Sequence, residues 1–460
     1  MDAMHADLLV IGFGKGGKTL AAALGRQGRR VVMVERSAQM YGGTCINIGC
    51  VPTKALIHRA AARPGDADAE AWYADSVAWT ASLTSLLRGN NFRMLDSLDS
   101  VTVVTGAAAF LDEKRVEVTA GADRLEITAD TIVINTGAEP VVPDVAGLRD
   151  SRHLVTGTDL IASPVLPRRV TVLGGGYQGI EFAAMLSRSG ARVTVLESAA
   201  RILRAEDDDI AGAAEQILRD EGVTFVTGAR ARRVTDTEAG AVVEYEVDGV
   251  SHTVEADAVL AATGRRPATA GLRLEAAGVR TTMTGAIEVD EHLRTSRPHI
   301  FAIGDVNGGP QFTYISLDDY RVVADQLLGE GRRATTDRVA VPYTLFMTPP
   351  LARVGLTEAR ARAEGRAVRV AAKPVAAIAA MPRARILDDV RGVMKFVIDA
   401  ETDQILGAAL LSVDAQELIN TVALAMRAGV PAAGLRDAVW THPSSTEAFN
   451  EVLAAAQAAG

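Results

Sequence analysis

Cysteine is nearly absent from this sequence. The 460 residues contain only Cys45 and Cys50, and both fall in the stretch GGTCINIGCVPTK. For two cysteines placed at random, so short a separation has a chance of about 2%. Two cysteines are too few for a disulfide-stapled fold or for a four-ligand zinc centre, so no metal-binding residues are predicted. The close pair instead predicts redox chemistry.

Two other absences narrow the class of protein. No apolar run approaches the roughly 18 residues that a membrane span needs, and no basic leader precedes the short apolar run from Leu8 to Phe13. The formal net charge of −9 at pH 7 argues against nucleic-acid binding, because phosphates need a cationic face. We therefore expect a cytoplasmic protein with no membrane and no nucleic-acid partner.

Glycine, by contrast, is abundant at 42 residues, and the most informative glycines lie in two similar segments, 7–35 and 168–197. Each segment has the pattern of a buried strand, a glycine-rich turn, an amphipathic helix and a second strand that ends in glutamate. The first glycine and the glutamate are equally far apart in the two segments. The residues are Gly12, Gly14, Gly17 and Glu35 in the first segment and Gly174, Gly176, Gly179 and Glu197 in the second.

This repeated unit is typical of dinucleotide binding. The glycines allow a tight turn, close approach of a pyrophosphate and packing of helix on strand, while the acid accepts hydrogen bonds from a ribose. A chain with two such units usually holds a flavin and exchanges a nicotinamide. Because the cysteines follow Glu35, we expect FAD in the first unit and the nicotinamide in the second. Glu197 favours NADH over NADPH, and the nearby Arg201 and Arg204 oppose that preference.

The rest of the chain completes the predicted fold class. Strand-turn elements at 132–140 and 259–267 are expected where the chain leaves each dinucleotide domain, and a third strand puts Asp305 where a carboxylate can bond ribityl hydroxyls. From about Val339 the pattern changes to an antiparallel sheet with helices on one side. The prediction is an α/β protein with two Rossmann-like dinucleotide-binding domains and a C-terminal α+β domain.

The spacing of the two cysteines predicts a distorted turn. A disulfide needs Cα atoms roughly 4.4–6.8 Å apart, whereas residues five apart in a regular helix are separated by about 8–9 Å. Asn47 and Gly49 tolerate such a distortion. Pro52 suits the first turn of the next helix, so Cys50 is expected near a helix N-terminus, where a thiolate is stabilised.

These segments resemble the FAD-dependent pyridine nucleotide-disulfide oxidoreductases (class I), and the resemblance covers essentially the whole chain. The stretches GFGKGGKTL, YGGTCINIGCVPTK, QFTYISLDDYRVV, VPYTLFMTPPLARVGLTE, PRARIL and THPSSTE are most similar to the bacterial reactive-chlorine-resistance flavoprotein branch. Segment 63–100 is expected to be a helix pair without an assigned role. The resemblance implies a glutathione-reductase-like order of an FAD-binding domain with the redox disulfide (1–145), an NAD(P)-binding domain (146–265), a central region completing the FAD site (266–338) and a dimerisation domain (339–460).

The resemblance also implies roles for individual residues. Cys50 corresponds to the charge-transfer thiol that faces the flavin, and Cys45 to the thiol that meets the substrate. Lys54 resembles the lysine near flavin N5, with Glu181 as its partner, and Tyr177 resembles the tyrosine that covers the nicotinamide pocket. The predicted cofactor-binding residues are Gly12, Gly14, Lys15, Gly16, Gly17, Glu35, Gly43, Thr44, Lys54, Ala108, Gly137, Gly174, Gly176, Tyr177, Gly179, Glu197, Gly264, Asp305 and Thr313.

Near the C-terminus, His442 and Glu447 match the family's histidine–glutamate dyad. A histidine can accept a proton from Cys45 while the carboxylate fixes its tautomer. In the family this dyad reaches the flavin of the other subunit, so the resemblance implies a homodimer. It also implies a cis bond before Pro443.

The acceptor of the electrons is the least determined feature. The branch resemblance implies reduction of a metal ion such as Cu(II) in defence against oxidative and reactive-chlorine stress, and soft thiolates bind Cu(I) well. A first alternative is reduction of a low-molecular-weight disulfide of the lipoamide, glutathione or mycothiol type. A second alternative is a redox-sensing flavoprotein that signals through its NADH-bound conformation.

Overall fold

The first part of the chain forms a sheet that carries the first glycine-rich turn. The structure is a computed structural model, and it describes residues 2–458. The apolar runs at 8–11 and 31–35 are buried along their whole length, which is typical of parallel strands covered on both faces. The elements are β1 (Asp2–Ile11), α1 (Lys15–Gly25), β2 (Val31–Glu35), α2 (Thr44–Asn47), α3 (Cys50–Ala61), α4 (Ala69–Asp96), β3 (Val101–Thr105), β4 (Ala107–Phe110), β5 (Arg115–Ala120), β6 (Asp123–Ile134) and β7 (Ala138–Pro140).

The expected helix pair over 63–100 is wrong. This segment contains one helix of 28 residues, α4, which packs against the preceding helix, α3. The Asp68 side chain caps α4 by accepting a hydrogen bond from the backbone N–H of Ala71 at 2.8 Å. No proline interrupts the sequence that follows, and Gly89 lies inside the helix without ending it.

The second part of the chain repeats the plan of the first. The elements are β8 (Leu154–Val155), α5 (Gly157–Ala162), β9 (Arg169–Leu173), α6 (Tyr177–Ser189), β10 (Arg192–Glu197), α7 (Asp208–Asp220), β11 (Thr224–Thr227), β12 (Arg230–Thr237), β13 (Gly240–Val247), β14 (Val250–Ala256), β15 (Ala258–Ala261) and β16 (Arg265–Pro267). Five of these strands form an all-parallel sheet with the order β11-β10-β9-β15-β8, and β12, β13 and β14 form a separate antiparallel sheet. Strand β16 pairs with β7 and so links this part of the chain to the first.

The chain then returns to the first sheet. Strand β17 (Ile300–Ala302) pairs in parallel with β6, and helix α8 (Thr313–Leu328) packs against α1. The parallel part of the first sheet therefore has the order β3-β2-β1-β6-β17, with β5 and β4 extending antiparallel from β6. Ligands of such sheets bind beyond the carboxyl ends of the strands, where the glycine-rich turns lie.

The C-terminal part forms a six-stranded antiparallel sheet with the order β18-β19-β22-β21-β20-β23. Its core includes Phe396 and Phe449, whose rings meet edge to face at 5.5 Å. The elements are β18 (Tyr343–Leu345), β19 (Leu351–Gly355), α9 (Glu358–Ala363), β20 (Val368–Pro374), α10 (Pro382–Ile386), β21 (Val393–Asp399), β22 (Ile405–Leu411), α11 (Ala415–Arg427), α12 (Ala432–Arg436), α13 (Ala448–Ala454) and β23 (Gln457–Ala458).

The predicted fold class is confirmed: two Rossmann-like α/β units are followed by an α+β unit, and the arrangement is glutathione-reductase-like. The peptide bond between His442 and Pro443 is cis, as expected, and the bond between Thr348 and Pro349 is cis as well.

Candidate active site

The first glycine-rich turn is shaped by contacts with Asn135 at the end of β6. Gly12 has φ +98°, and a Cβ there would lie 2.5 Å from the backbone oxygen of Asn135. A Cβ on Gly14 would lie 2.3 Å from Asn135 Oδ1, which accepts a hydrogen bond from the Gly17 N–H at 2.9 Å. Only glycine fits at these positions, so the turn brings backbone N–H groups to the N-terminus of α1, where a pyrophosphate binds well.

The two glutamates that end β2 and β10 hold their turns in the same way. Glu35 accepts hydrogen bonds from the N–H groups of Phe13 (3.0 Å) and Ser37 (3.3 Å), and burial raises its pKa. Glu197 accepts from Gly175 and Ala199, both at 2.7 Å. Each carboxylate therefore braces a glycine-rich turn at the position where a ribose is expected.

The second glycine-rich turn is equally constrained at its first and third glycines. Gly174 has φ +111°, and a Cβ there would lie 2.7 Å from the backbone oxygen of Ala262. A Cβ on Gly179 would lie 2.0 Å from the oxygen of Gly174, so this glycine lets α6 pack on its strand. Gly176, by contrast, has no atom within 4 Å of such a Cβ, so the middle of the turn faces open space.

The two cysteines lie on a broken helical segment directly after the first unit. Helix α2 carries Cys45 and ends at Asn47, and α3 starts at Cys50 after Gly49 adopts φ −126° and ψ −117°. Gly43 packs the segment against the first turn, because its Cβ would lie 2.9 Å from Gly14 Cα. Both sulfurs are free thiols in the structure, so the disulfide itself stays a prediction.

The two thiols differ in acidity. The pKa of Cys50 is lowered to about 6, first because the Cys45 thiol donates a hydrogen bond to it. Thr313, whose Oγ1 lies 3.5 Å from Cys50 Sγ, and the Lys54 ammonium act in the same direction, against the effect of burial. The same contact raises the pKa of Cys45. Near neutral pH the pair therefore carries its proton on Cys45 and its negative charge on Cys50.

An ion pair joins the two dinucleotide units beside the cysteines. Lys54 on α3 donates to Glu181 on α6 with an Nζ–Oε2 distance of 2.7 Å. The other oxygen of Glu181 accepts the N–H of Phe346 at 2.9 Å, and Lys54 Nζ lies 5.0 Å from the centre of the Phe346 ring. The ammonium is thus fixed on the cavity wall, where it can stabilise negative charge that develops on a bound group.

A buried hydrogen-bonded group holds Tyr177 at the start of α6. Its hydroxyl lies 3.0 Å from Glu206 Oε1 and 2.9 Å from the Tyr343 hydroxyl, which itself donates to Glu206 at 2.7 Å. Arg353 pairs with the second Glu206 oxygen at 3.1 Å. Burial, reinforced by the Glu206 carboxylate, raises the pKa of Tyr177 to about 12, so its hydroxyl remains a donor.

One cavity of about 1810 Å³ contains nearly all of the predicted cofactor-binding residues, which suits a site for two extended dinucleotides better than one for a single small ligand. Gly16, Gly17 and Gly179 do not line it and lie behind its wall in helix packing. The predicted residues that line it are Gly12, Gly14, Lys15, Glu35, Gly43, Thr44, Cys45, Cys50, Lys54, Ala108, Gly137, Gly174, Gly176, Tyr177, Glu181, Glu197, Gly264, Asp305 and Thr313.

The predicted dyad lies elsewhere in the chain. His442 Nδ1 and Glu447 Oε1 are 2.9 Å apart, and the other Glu447 oxygen accepts the Ser444 N–H at 2.9 Å. The His442 side chain is 71% exposed, and neither member of the dyad lines the cavity of its own chain. One subunit alone therefore does not bring the dyad to Cys45.

Asn135, Glu206 and Tyr343 are structural residues of the site that were not predicted. Asn135 follows three apolar residues at the carboxyl end of a strand, which is a recognisable signal for a residue near a ligand. Glu206 lies in an irregular segment, and its importance comes from burial among groups distant in sequence. Within residues 2–458, His5, Asp7 and Asp130 form a group with metal-ligand spacing, and none of them lines the cavity.

The site combines two glycine-rich dinucleotide turns with a cysteine pair in one cavity. Comparison with known protein families agrees with this combination. The model for pyridine nucleotide-disulphide oxidoreductases matches residues 6–319, and the model for the dimerisation domain of the same family matches residues 341–453. The chain belongs to the pyridine nucleotide-disulfide oxidoreductase family, whose members use FAD and a nicotinamide cofactor.

The chain is similar to particular members of that family. It is 45% identical over 445 residues to the probable pyridine nucleotide-disulfide oxidoreductase RclA of Escherichia coli K12, covering 97% of this chain and 98% of the relative. It is 34% identical to a dihydrolipoyl dehydrogenase of Geobacillus stearothermophilus, covering 97% and 95%. A solved Cu(II) complex of the HOCl-induced flavoprotein disulfide reductase RclA of Escherichia coli matches with a TM-score of 0.93 and 44% identity, covering 98% and 99%.

The chain is thus a flavoprotein oxidoreductase of the RclA type with a dimerisation domain, which indicates a homodimer. Among the helices of residues 2–458, none has the length and hydropathy that crossing a bilayer requires.

Proposed function

We propose that this protein passes electrons from NADH, through FAD and the Cys45–Cys50 pair, to a metal ion such as Cu(II) in defence against oxidative and reactive-chlorine stress. The observation that carries the proposal is the environment of Cys50. Its thiol, with a lowered pKa, lies on the wall of the cavity that also contains both glycine-rich turns and the Lys54–Glu181 pair. The metal acceptor is supported by the solved relative from Escherichia coli, an HOCl-induced flavoprotein disulfide reductase in complex with Cu(II).

The residues of the first unit suit FAD. The turn at 12–17 and the N-terminus of α1 would hold its pyrophosphate, Glu35 its ribose and Asp305 its ribityl chain. FAD bound there would accept a hydride from the nicotinamide and pass two electrons to the disulfide. The fixed ammonium of Lys54 would stabilise the negative charge that results.

The proposed cycle balances electrons and protons through the cysteine pair. In the first half NADH, one proton and the disulfide give NAD⁺ and two thiols, of which Cys50 ionises and Cys45 keeps its proton. In the second half two Cu(II) ions each take one electron to become Cu(I), the disulfide forms again and the remaining proton, on Cys45, is released. In a homodimer, His442 and Glu447 of the second subunit would accept the proton of Cys45.

We also propose that NADH is preferred over NADPH. Glu197 lines the cavity at the position expected for a ribose, where it repels a 2′-phosphate. Arg201 is paired with Asp208 at 3.1 Å and is thereby drawn toward that carboxylate, whereas Arg204 lines the cavity. The ratio of kcat/KM for the two nicotinamides tests this, and Glu197→Gln should move the ratio toward NADPH.

The domain division is part of the proposal. We assign 1–145 to FAD binding with the redox disulfide, 146–265 to nicotinamide binding, 266–338 to completion of the FAD site and 339–460 to dimerisation. Support comes from strand β17, which joins the first sheet, and from the separate antiparallel sheet after residue 343.

A panel of acceptors tests the proposed function. Anaerobic oxidation of NADH is followed with Cu(II), lipoamide, glutathione disulfide and hypochlorite in separate reactions. The proposal predicts the highest turnover with Cu(II) and loss of that turnover in Cys45→Ser. The alternative, a low-molecular-weight disulfide reductase, is supported by the 34% identity to dihydrolipoyl dehydrogenase and predicts the highest turnover with a disulfide. No turnover with any acceptor would contradict both.

A further inference from the structure

Lys18 is a buried cation without a carboxylate partner in the described part of the chain. It lies on α1, directly after the glycine-rich turn, and is 4% exposed. Lys395 is equally buried but contacts Asp207, Asp209 and Glu358 at 2.8–3.2 Å, which is how proteins normally bury an ammonium. The contrast indicates that the charge of Lys18 serves a purpose at its position.

The contacts of Lys18 connect three elements. Its Nζ donates to the backbone oxygen of Gly42 at 3.1 Å and to Asn91 Oδ1 at 2.5 Å. Gly42 opens the segment 42–50, which we call the redox turn, and Asn91 lies on α4. Lys18 therefore ties the redox turn to the dinucleotide helix on one side and to the long helix on the other.

Helix α4 holds the redox turn at a second point. Arg88 donates to Asn47 Oδ1 at 2.9 Å, and Asn47 Nδ2 donates to the backbone oxygens of Tyr41 (3.0 Å) and Gly43 (2.9 Å). Together with Asn91 these contacts give α4, which had no role from its sequence, the role of a support behind the cysteine pair.

The charge of Lys18 bears on Cys45. Attack by Cys45 on an acceptor requires loss of its proton, and a thiolate in a half-buried position is stabilised by a nearby cation. Burial and Lys15 on the same helix lower the pKa of Lys18 to about 8, and its attraction to Cys45 acts in the opposite direction. The contact with Cys50 and burial raise the pKa of Cys45, and the Lys18 ammonium opposes them. The other charged groups that face the redox turn are Arg88 from α4, which bonds Asn47, and Lys54, Glu181 and Arg265, which act on Cys50 at its far end.

We propose that Lys18 is a positioning residue that fixes the redox turn between α1 and α4 and supplies the positive charge that stabilises Cys45 as a thiolate. This inference rests on the proposed function, because it takes Cys45 as the thiol that meets the acceptor. It assigns a purpose to the second lysine of the stretch GFGKGGKTL, which the dinucleotide site does not use.

The rate of alkylation of Cys45 as a function of pH tests the proposal. The FAD-loaded protein is reduced with NADH without oxygen, treated with iodoacetamide and digested, and the modified Cys45 peptide is quantified. Lys18→Met removes the charge, and Asn91→Asp neutralises it with a side chain of the same shape. Both variants should raise the pH midpoint for Cys45 by about 1 unit, which slows alkylation about tenfold below the midpoint. Lys114→Met, an exposed lysine in the β4–β5 connection, should leave it unchanged.

Unchanged midpoints in Lys18→Met and Asn91→Asp would overturn the proposal, as would an equal shift in Lys114→Met. If Lys18→Met does not fold, the pH midpoint for Cys45 in Asn91→Asp tests the proposal by itself, because that substitution keeps the side-chain shape and places a negative charge beside the buried ammonium. Failure of the proposed function has a different signature: in the wild-type protein NADH would then generate no alkylatable Cys45.

Discussion

The two dinucleotide turns have the same sequence pattern but different surroundings. At the first turn the N–H groups of Gly16 and Gly17 donate to Ser316 and Asn135, so side chains from distant parts of the chain close over it. Asn135 also donates to the backbone oxygen of Ile303 at 2.7 Å, which links the turn to the end of β17.

The second turn is less enclosed. A Cβ at Gly176 or Gly264 would meet no atom within 4 Å, and the adjacent Tyr177 is held by hydroxyl hydrogen bonds rather than by backbone contacts. If Tyr177 moved to admit a ligand, Glu206 would keep its bonds to Tyr343 and Arg353, so no buried carboxylate would be left without a partner. This difference is what the proposed function requires, with a retained ligand at the first turn and an exchanging ligand at the second.

The largest expected effect comes from adding a methyl group to each turn. In Gly12→Ala the new Cβ would lie 2.5 Å from the Asn135 oxygen at φ +98°, and we expect destabilisation of about 2–4 kcal/mol and loss of bound FAD. Gly176→Ala is the matched variant, with φ −78° and open space around its Cβ, and should retain FAD while its affinity for NADH falls. Flavin absorbance after gel filtration and thermal unfolding measure both. Equal retention of FAD by the two variants would refute the comparison.

Substitutions in the Lys54–Glu181 ion pair, which joins the two dinucleotide units, should have the next largest effect. Lys54→Met removes the fixed charge beside the cysteines, and we expect reduction by NADH to slow about 100-fold or more. Glu181→Gln keeps an acceptor for the Phe346 N–H but loses the ion pair, and should slow the same step about tenfold. Stopped-flow absorbance of the flavin measures the rates. If both variants react like the wild type, the pair does not act on the reaction between the units.

The pH dependence of the Cys50 thiolate separates the two thiols. Because the pKa of Cys50 is lowered to about 6, the thiolate is present above that pH and is lost as the pH falls through it. The long-wavelength charge-transfer absorbance of the NADH-reduced protein should therefore fall to half near pH 6. Cys45→Ala removes the main hydrogen bond to the thiolate, so the midpoint of this variant, measured without NADH because it has no disulfide to reduce, should be higher. A midpoint that Cys45→Ala leaves unchanged would show that the bond does not set the acidity of Cys50.

The smallest effect is expected at the tyrosine that closes the second turn. Tyr343→Phe removes one of two hydrogen bonds that hold Tyr177, while Glu206 still accepts the other at 3.0 Å. Without the Tyr343 hydroxyl, displacing Tyr177 would leave Glu206 Oε1 with no hydroxyl donor, so we expect the nicotinamide dinucleotide to bind about 2–10-fold more weakly. Titration of NAD⁺, which cannot donate a hydride to the flavin, measures the affinity, and Tyr245→Phe on strand β13 serves as the control. Tighter binding in Tyr343→Phe would contradict this interpretation of the second turn.

Local sequence patterns predict the glycine-rich turns and the ends of the helices that carry the cysteines. The glycine spacing, the terminal glutamates and the break at Gly49 each follow from short-range geometry, and the structure has the corresponding turns and helix ends where they were expected. Glu206 could not be derived in that way, because its position depends on burial and on partners from other segments such as Tyr343. The sequence places Asn135 at a strand end near a ligand, but its bond to Ile303 depends on a segment far along the chain. The single helix α4 was missed because the expected helix pair came from the family resemblance, although no proline interrupts residues 69–96.

The exposed dyad shows a second limit of a single chain. His442 and Glu447 form the expected contact with each other, yet the Cys45 thiol from which His442 would accept a proton belongs to the other subunit of the proposed dimer. The dyad motif indicates a proton acceptor, whereas only the assembled dimer would bring that acceptor to Cys45.

Anaerobic titration with NADH, followed by absorbance and by alkylation of both cysteines, tests the central claim most directly. The account predicts a long-wavelength charge-transfer band in the wild-type protein, its absence in Cys50→Ser, and two thiols that become alkylatable after NADH is added to the oxidised protein. A band that persists in Cys50→Ser, or cysteines whose reactivity NADH does not change, would contradict the claim that this pair relays electrons beside the flavin.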